Sequence, residues 1–546
     1  MASRTSITRA MAPLPLAAVL VLAAGAPPAQ AIVGGVAATS IQGYDGSFQR
    51  LDSPRSDGHV CGATLIAPRW AITAGHCARW ARGGDTEYRN SGTPKGWSIR
   101  FGSRDTRRGG QVVGVQRFVA RSVARRPHAD IALLRLSRAV HVSPARLATR
   151  PLPPGTRVRI QGWGFTDPAG DSTSYGAFQD PRSYPRKLRV ASTRIRATRD
   201  CGTVARILCI GGKRGRPGPE NMDSGGPAFA RQPGRGTVIV GTVEGGGNTG
   251  APSPSAYAPI SLNLEWIRSY LSGRRAIPRA PAYRGPDMRG AAKIGGCSAS
   301  VVRARGARAG DPALLLTNGH CVDPRPKSGT ALADRPVPTP VQLLGRDGTP
   351  IARSLTDRLL YATMTGTDVA LYRLTDSYQR LEQTGVRVLT LASRGPKPGD
   401  RVSLLTHQEL KRCRIDIIVP TLREAGYEQQ NALRYVAGDG CRSQRGDSGA
   451  PLIDDGSGQV VAINNTHNSG ERDPTPEEIE AGDFEPKPGV PCAEGNPCEV
   501  GPDGRIVNLV GRSYGQQAAG LAACIAPGSR LRLDRPGCTV TKPGRR

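Results

Sequence analysis

Thr73-Ala74-Gly75-His76-Cys77, Asp130-Ile131-Ala132-Leu133-Leu134 and Asp223-Ser224-Gly225-Gly226-Pro227 lie in that order in the first half of this chain. They return in the second half as Thr317-Asn318-Gly319-His320-Cys321, Asp368-Val369-Ala370-Leu371-Tyr372 and Asp447-Ser448-Gly449-Ala450-Pro451, at offsets of 244, 238 and 224 residues. One such string is a weak signal, but three in one order at nearly one offset predict two copies of a single folding unit. The length, 546 residues, exceeds one ordinary domain and agrees with that reading. Hydrophobic residues at 38% exclude a fully disordered chain, and the 69 Gly and 46 Pro show no triplet period, which excludes collagen. Between turn residues the apolar runs are short and β-branched: Val112-Val113, Val158-Arg159-Ile160, Thr237-Val238-Ile239-Val240, Val402-Ser403-Leu404-Leu405 and Val460-Val461-Ala462-Ile463. This pattern predicts an all-β fold rather than helices.

Hydrolysis of a peptide bond near neutral pH needs a nucleophile, a base to take its proton, and a carboxylate that orients the base and stabilises its cation. His, then Asp, then Ser over about 150 residues is one chain order in which such a triad occurs. On these residues both halves resemble trypsin/chymotrypsin-type serine proteases, from Ile32 to Leu271 and from about Gly295 to past Ser513. The resemblance implies two tandem double β-barrels, each with its site between barrels, and polypeptides as substrates.

For the first copy it implies His76 as general base, Asp130 as its orienting carboxylate and Ser224 as nucleophile, with an oxyanion hole from the backbone N–H groups of Met222 and Ser224. Cys61 and Cys77 match the family bridge beside the base, Cys201 and Cys209 form a second local bridge, and Gly162-Trp163-Gly164 resembles a family landmark. The string Ile32-Val33-Gly34-Gly35 resembles the N-terminus that family members expose on activation, whose ammonium pairs with the Asp before the nucleophile, here Asp223. Met222 departs from the family glycine, and a position that requires positive φ strains it. The primary pocket aligns with Gly218 at its base and Glu244-Gly245-Gly246 on its wall, with no Asp to select Arg or Lys.

For the second copy the implied triad is His320, Asp368 and Ser448, with Gly446 at the oxyanion position beside Ser448. Cys297 and Cys321 repeat the bridge beside the base, and Cys413 and Cys441 close the loop before the nucleophile. Cys492, Cys498, Cys524 and Cys538 admit three pairings, of which 492–498 with 524–538 is favoured. Lys293-Ile294-Gly295-Gly296 runs straight into Cys297, so this copy more closely resembles bacterial members that order the site without a freed ammonium. Asn465-Thr466-His467 falls on the pocket wall, where His467 either meets an acidic side chain or is a partly exposed loop histidine.

Arg4 and Arg9, the apolar stretch Met11 to Ala26 and Ala29-Gln30-Ala31 read as a removable secretion signal over residues 1–31. The stretch is shorter than the roughly 20 residues of a spanning helix and contains Pro13 and Pro15, which argues against a membrane anchor. An extracellular setting, in which the 12 Cys form disulfides, follows, with no membrane association after signal removal. The first unit is expected over 32–272, closing in a helix that carries Leu264, Ile267 and Leu271 on one face; a Pro/Arg-rich linker over 273–293; and the second unit with its Cys-containing extension over 294–546. Neither copy has a second Cys/His pair at zinc-ligand spacing, so neither metal nor cofactor is expected. The net charge of +31 is mostly scattered Arg without aromatic interleaving and reads as an Arg-rich surface, not a nucleic-acid site. A tandem secreted endopeptidase is the first functional reading. The alternative is a binding or regulatory homologue in which one copy, more readily the first because of Met222, has lost catalysis.

Overall fold

The computed structural model describes residues 32–78, 90–121, 129–167, 172, 175–202, 206–212, 217–245, 254–279, 282–436, 440–472 and 487–543. The segment read as a secretion signal and Gly246 lie outside them. Among the described residues no helix is long and apolar enough to cross a membrane.

Alternating side chains build the barrels. In Gln111–Ala120, Val113, Val115 and Phe118 are buried while Val112 and Gln116 face outward. This strand joins Trp97–Phe101, Asp45–Arg50, His59–Ala67, Trp70–Thr73 and Ala132–Leu136 in one antiparallel sheet, which closes where Gln111–Ala120 pairs with Ala132–Leu136. The core so enclosed contains Phe48, Leu65, Trp97, Ile99, Phe118 and Leu134. Each fully buried Leu, Ile or Phe contributes about 1.5–3 kcal/mol. The second barrel of this unit runs through Arg189–Arg196, Leu208–Ile210, Ser255–Pro259, Gly236–Gly245, Pro227–Gln232 and Arg157–Gly162, and closes between the first and last of these. The helix Ile260–Leu271 caps it, burying Leu264 and Ile267, and Arg121 anchors the helix through Asn263 Oδ1 at 2.6 Å.

The second unit repeats the plan. Ala291–Ile294, Pro340–Leu344, Pro350–Thr363, Val369–Ser377, Pro312–Thr317 and Cys297–Arg303 form one ring, closed by the pairing of Ala291–Ile294 with Cys297–Arg303. Arg401–Leu405, Pro451–Asp454, Val460–His467, Ser513–Gln517, Tyr427–Tyr435 and Leu410–Glu424 form the other, closed by Arg401–Leu405 with Leu410–Glu424. This unit starts before residue 294, which corrects the boundary drawn from sequence. Ala291–Ile294 is already a paired strand and Met288 is buried, so only the residues before Met288 serve as linker. The preceding Arg and Pro residues hid this short strand. Arg274 and Arg275 are exposed, whereas Ile277 is buried against the first unit's core.

The bridges are Cys61–Cys77, Cys201–Cys209, Cys297–Cys321, Cys413–Cys441, Cys492–Cys498 and Cys524–Cys538. A loop as short as that between Cys61 and Cys77 gives about 3 kcal/mol by chain-entropy reasoning. Hydrogen bonds join the units: Gln342 Nε2 donates to Asp52 O at 2.9 Å and Arg353 Nη2 to Ser53 O at 2.7 Å.

Candidate active sites

In both units the histidine follows an inner strand of the first barrel on a single tight turn, His76–Ala78 and Gly319–Cys321. The glycine before it is dictated by crowding: a Cβ on Gly319 would lie 2.0 Å from Thr363 O and 3.0 Å from Asp368 Oδ1. The aspartates are buried at the entrance to the next strand. His76 Nδ1 lies 2.6 Å from Asp130 Oδ2 and His320 Nδ1 2.7 Å from Asp368 Oδ2, while the other carboxylate oxygen accepts the histidine's own N–H at 2.8 and 3.1 Å. Two contacts per carboxylate fix ring position and orientation and leave Nε2 toward the nucleophile's side. Burial acts to lower the His320 pKa, but the charge and hydrogen bond of Asp368, with Glu424 adding, outweigh it and raise it above the usual value.

The serines follow Asp223 and Asp447 on turns that lead into Pro227–Gln232 and Pro451–Asp454. Among the described residues no hydrogen bond joins either serine to its histidine. Ser448 Oγ donates to Asn465 O at 3.3 Å, and His76 Nε2 lies 3.7 Å from Cys77 Sγ. Both Cys–His–Cys groupings, Cys61–His76–Cys77 and Cys297–His320–Cys321, have their sulfurs joined in one disulfide, which removes them as thiolate ligands.

The oxyanion positions differ in a way that explains the odd residue. Gly446 has φ 93° and Met222 φ 68°, so the first unit holds a non-glycine residue in the left-handed region. Its side chain is buried among Phe165 and Tyr184, and its carbonyl lies 3.1 Å from Nε2 of His59. His59 is fully buried and takes Ser47 Oγ at its other nitrogen, 2.8 Å away. Burial and the nearby Arg55 hold this histidine neutral, at about 3. In the second unit the Gly446 carbonyl accepts from Ser298 Oγ at 2.9 Å. Met222 and Gly446 are thus each tied back to the first barrel.

The aspartate before each nucleophile is handled differently in the two units. Asp223 is fully buried, accepts from Gly164 N at 2.7 Å and Glu220 N at 3.0 Å, and is pushed up to about 7 by burial. The closeness demands glycine at 164, where a Cβ would lie 2.5 Å from the Asp223 carboxyl carbon. No Lys or Arg among the described residues forms an ion pair with Asp223. Ile32 is also fully buried in this unit, and Val33 O accepts from Gly218 N at 3.1 Å. Asp447 accepts Gln444 N at 2.9 Å in the same turn but has its own cation, Lys411 Nζ at 2.8 Å, and both side chains are buried. Lys411 also donates to Arg442 O at 2.7 Å, on the loop that precedes Ser448.

Of the remaining sequence-derived residues, Gly218 engages Val33. Glu244 is held up at about 7 by burial and by the charge of Asp130, so its carboxyl belongs to the triad's surroundings. Asn465 and His467 line a cavity of about 440 Å³ together with His320, Asp368, Gly446 and Ser448. The imidazole of His467 is spoken for: Arg442 Nε donates to Nε2 at 3.1 Å and Nδ1 meets Ser513 Oγ at 2.9 Å. Burial, with Arg442 next, lowers its pKa to about 4. Sequence reasoning missed Lys411, His59, Glu424, Arg325 and Glu494. For Lys411 a signal existed, since it alternates with Cys413 and Ile415 on the inner face of Leu410–Glu424.

Paired six-stranded barrels with His–Asp pairs and serines on the facing turns define the double-barrel serine protease class. Residues 32–267 match the trypsin family model and residues 297–463 the trypsin-like peptidase domain model, so the chain carries two tandem trypsin-like domains. Trypsin 5G1 of Aedes aegypti is 29% identical over 243 residues, which is 40% of this chain and 79% of that protein. Neuropsin, a serine protease expressed in the limbic system of mouse brain, shares 20% identity at a TM-score of 0.34, covering 44% of this chain and 99% of its own.

Proposed function

We infer that this chain is a secreted serine endopeptidase of the bacterial type that cleaves polypeptides in both domains through an acyl-enzyme. The observation that carries the reading is the His–Asp pair at 2.6 and 2.7 Å, built twice from equivalent elements with a serine on the turn that follows. In each cycle Ser224 or Ser448 Oγ attacks the scissile carbonyl as His76 or His320 Nε2 takes its proton. The N–H groups of Met222 and Ser224, or Gly446 and Ser448, receive the oxyanion, and the imidazolium returns the proton to the leaving amine. Water then repeats the sequence on the acyl-enzyme. Ser448 must first turn from Asn465 O toward His320, a tightening common on substrate binding.

In the first domain Ile32 becomes the N-terminus when the signal is removed after Ala31, and its ammonium pairs with Asp223. The burial of both residues, and the absence among the described residues of another Lys or Arg partner for Asp223, support this. In the second domain Lys411 supplies the cation, which accords with the resemblance to bacterial members that need no freed ammonium. The test is peptide hydrolysis by wild type, Ser224→Ala, Ser448→Ala and the double variant. Residual activity in each single variant and none in the double is expected; full activity in the double variant overturns the reading. A second reading, catalysis by the second domain alone, is favoured by the left-handed Met222 and by His76 Nε2 facing Cys77 Sγ. In that case Ser448→Ala alone abolishes hydrolysis.

A further inference from the structure

Glu424 ends the strand Leu410–Glu424 and lines the cavity that holds His320 and Ser448. Its Oε1 accepts from Thr466 Oγ1 at 2.8 Å and Gly495 N at 2.8 Å. Its Oε2 takes no hydrogen bond from the described residues, and none of their Lys or Arg side chains forms an ion pair with it. Of the cations that line the cavity, His320 pairs with Asp368 at 2.7 Å and Arg325 with Glu494 at 3.0 Å, and the exposed Arg445 forms no ion pair with Glu424. Burial pushes the Glu424 carboxyl up to about 7, against the hydrogen bonds of Gly495 and Thr466 and the charge of His320, which favour its ionised form. Thr466, which donates to Glu424, stands between Asn465 and His467 on the strand that the resemblance makes the wall of the primary pocket, and Glu424 shares its cavity with His320 and Ser448.

We propose that Glu424 is the specificity-determining residue of the second domain for the substrate residue just before the one whose carbonyl is attacked, and that it takes a cation there. The cation is a Lys or Arg side chain, or the free α-ammonium of a substrate from which a dipeptide is removed; both offer charged N–H donors to a carboxylate with one idle oxygen. The assignment rests on Ser448 being a working nucleophile. A hydrogen bond to a charged group contributes about 1.5–3 kcal/mol, or roughly a 10- to 100-fold preference.

The experiment uses the full chain with Ser224→Ala, a mixed peptide library, and mass spectrometry of the cut sites, beside labelling of Ser448 by a fluorophosphonate. The expected result is enrichment of cations at that position by about tenfold or more, lost in Glu424→Gln. Blocking the α-amines by acetylation separates the sources: enrichment that survives assigns the side chain, and enrichment that disappears assigns the α-ammonium. Ser448 that is labelled and cleaves with no preference at that position overturns the assignment and leaves the protease reading intact. Ser448 that neither labels nor cleaves overturns both. The wild-type cut sites decide the matter even if Glu424→Gln fails to fold.

Discussion

Lys411→Met removes the buried cation paired with Asp447 while keeping most of the side chain's volume. Lys411 and Asp447 are 6% and 3% exposed at 2.8 Å, so the variant leaves a carboxylate buried without its counter-charge. Breaking a buried pair from one side costs about 3–5 kcal/mol. The turn Gln444–Asp447 can avoid that cost by swinging Asp447 out to water, but this carries Gly446 with it and dismantles the oxyanion hole. Loss of one oxyanion donor lowers turnover by about 10²–10³-fold. Either route shows in two measurements on a Ser224→Ala background: the rate of fluorophosphonate labelling at Ser448, and the urea midpoint of the second domain. We expect labelling to slow by about 100-fold or more, or the domain to lose about 3 kcal/mol or more of stability. Lys411→Met with Asp447→Asn, which removes both charges, should regain much of the stability but not the labelling rate. Unchanged labelling and unchanged midpoint in Lys411→Met refute the role given to this pair.

Asp223 makes the first domain sensitive to processing and pH. Its folded pKa of about 7 stands above the ordinary 3.8, so without a freed ammonium its contribution is full below about pH 4 and is lost as pH rises through 7. A chain extended before Ile32 should therefore lose up to about 4 kcal/mol of first-domain stability between pH 4 and 7, and its Ser224 activity, relative to a chain beginning at Ile32. Equal stability profiles contradict the Ile32–Asp223 pairing. Glu244, also held at about 7, places a second titrating carboxyl in the surroundings of Asp130. Glu244→Gln should change the pH–rate profile of the first domain near pH 7; identical profiles count against it. Met222→Gly relieves the left-handed strain but empties the Phe165–Tyr184 pocket, two effects of about 1–3 kcal/mol each that oppose one another. Its N–H remains, so Ser224 labelling should stay within about threefold of wild type, and a gain of tenfold or more shows that Met222 had displaced the hole.

The candidate triads were legible in the sequence because their spacing is repeated: His76, Asp130 and Ser224 draw meaning from His320, Asp368 and Ser448. The barrels were legible through β-branched runs, all of which fall in strands, and the closing helix through its 3.6-residue spacing. What escaped depends on contacts between distant segments. Arg325 and Glu494 lie 169 residues apart, and nothing near Glu424 in the chain marks it as an active-site carboxyl. His59 reads as an ordinary strand residue until the Met222 carbonyl, 163 residues away, is brought to its ring. The start of the second unit was misplaced because Ala291–Ile294 is too short and too close to the Arg/Pro-rich stretch to announce itself.

Intact-mass measurement of the chain after fluorophosphonate treatment tests two working triads most directly. Two adducts per chain, one in each of Ser224→Ala and Ser448→Ala and none in the double variant, are expected. A chain that takes up no adduct while folded contradicts the assignment of both serines as nucleophiles.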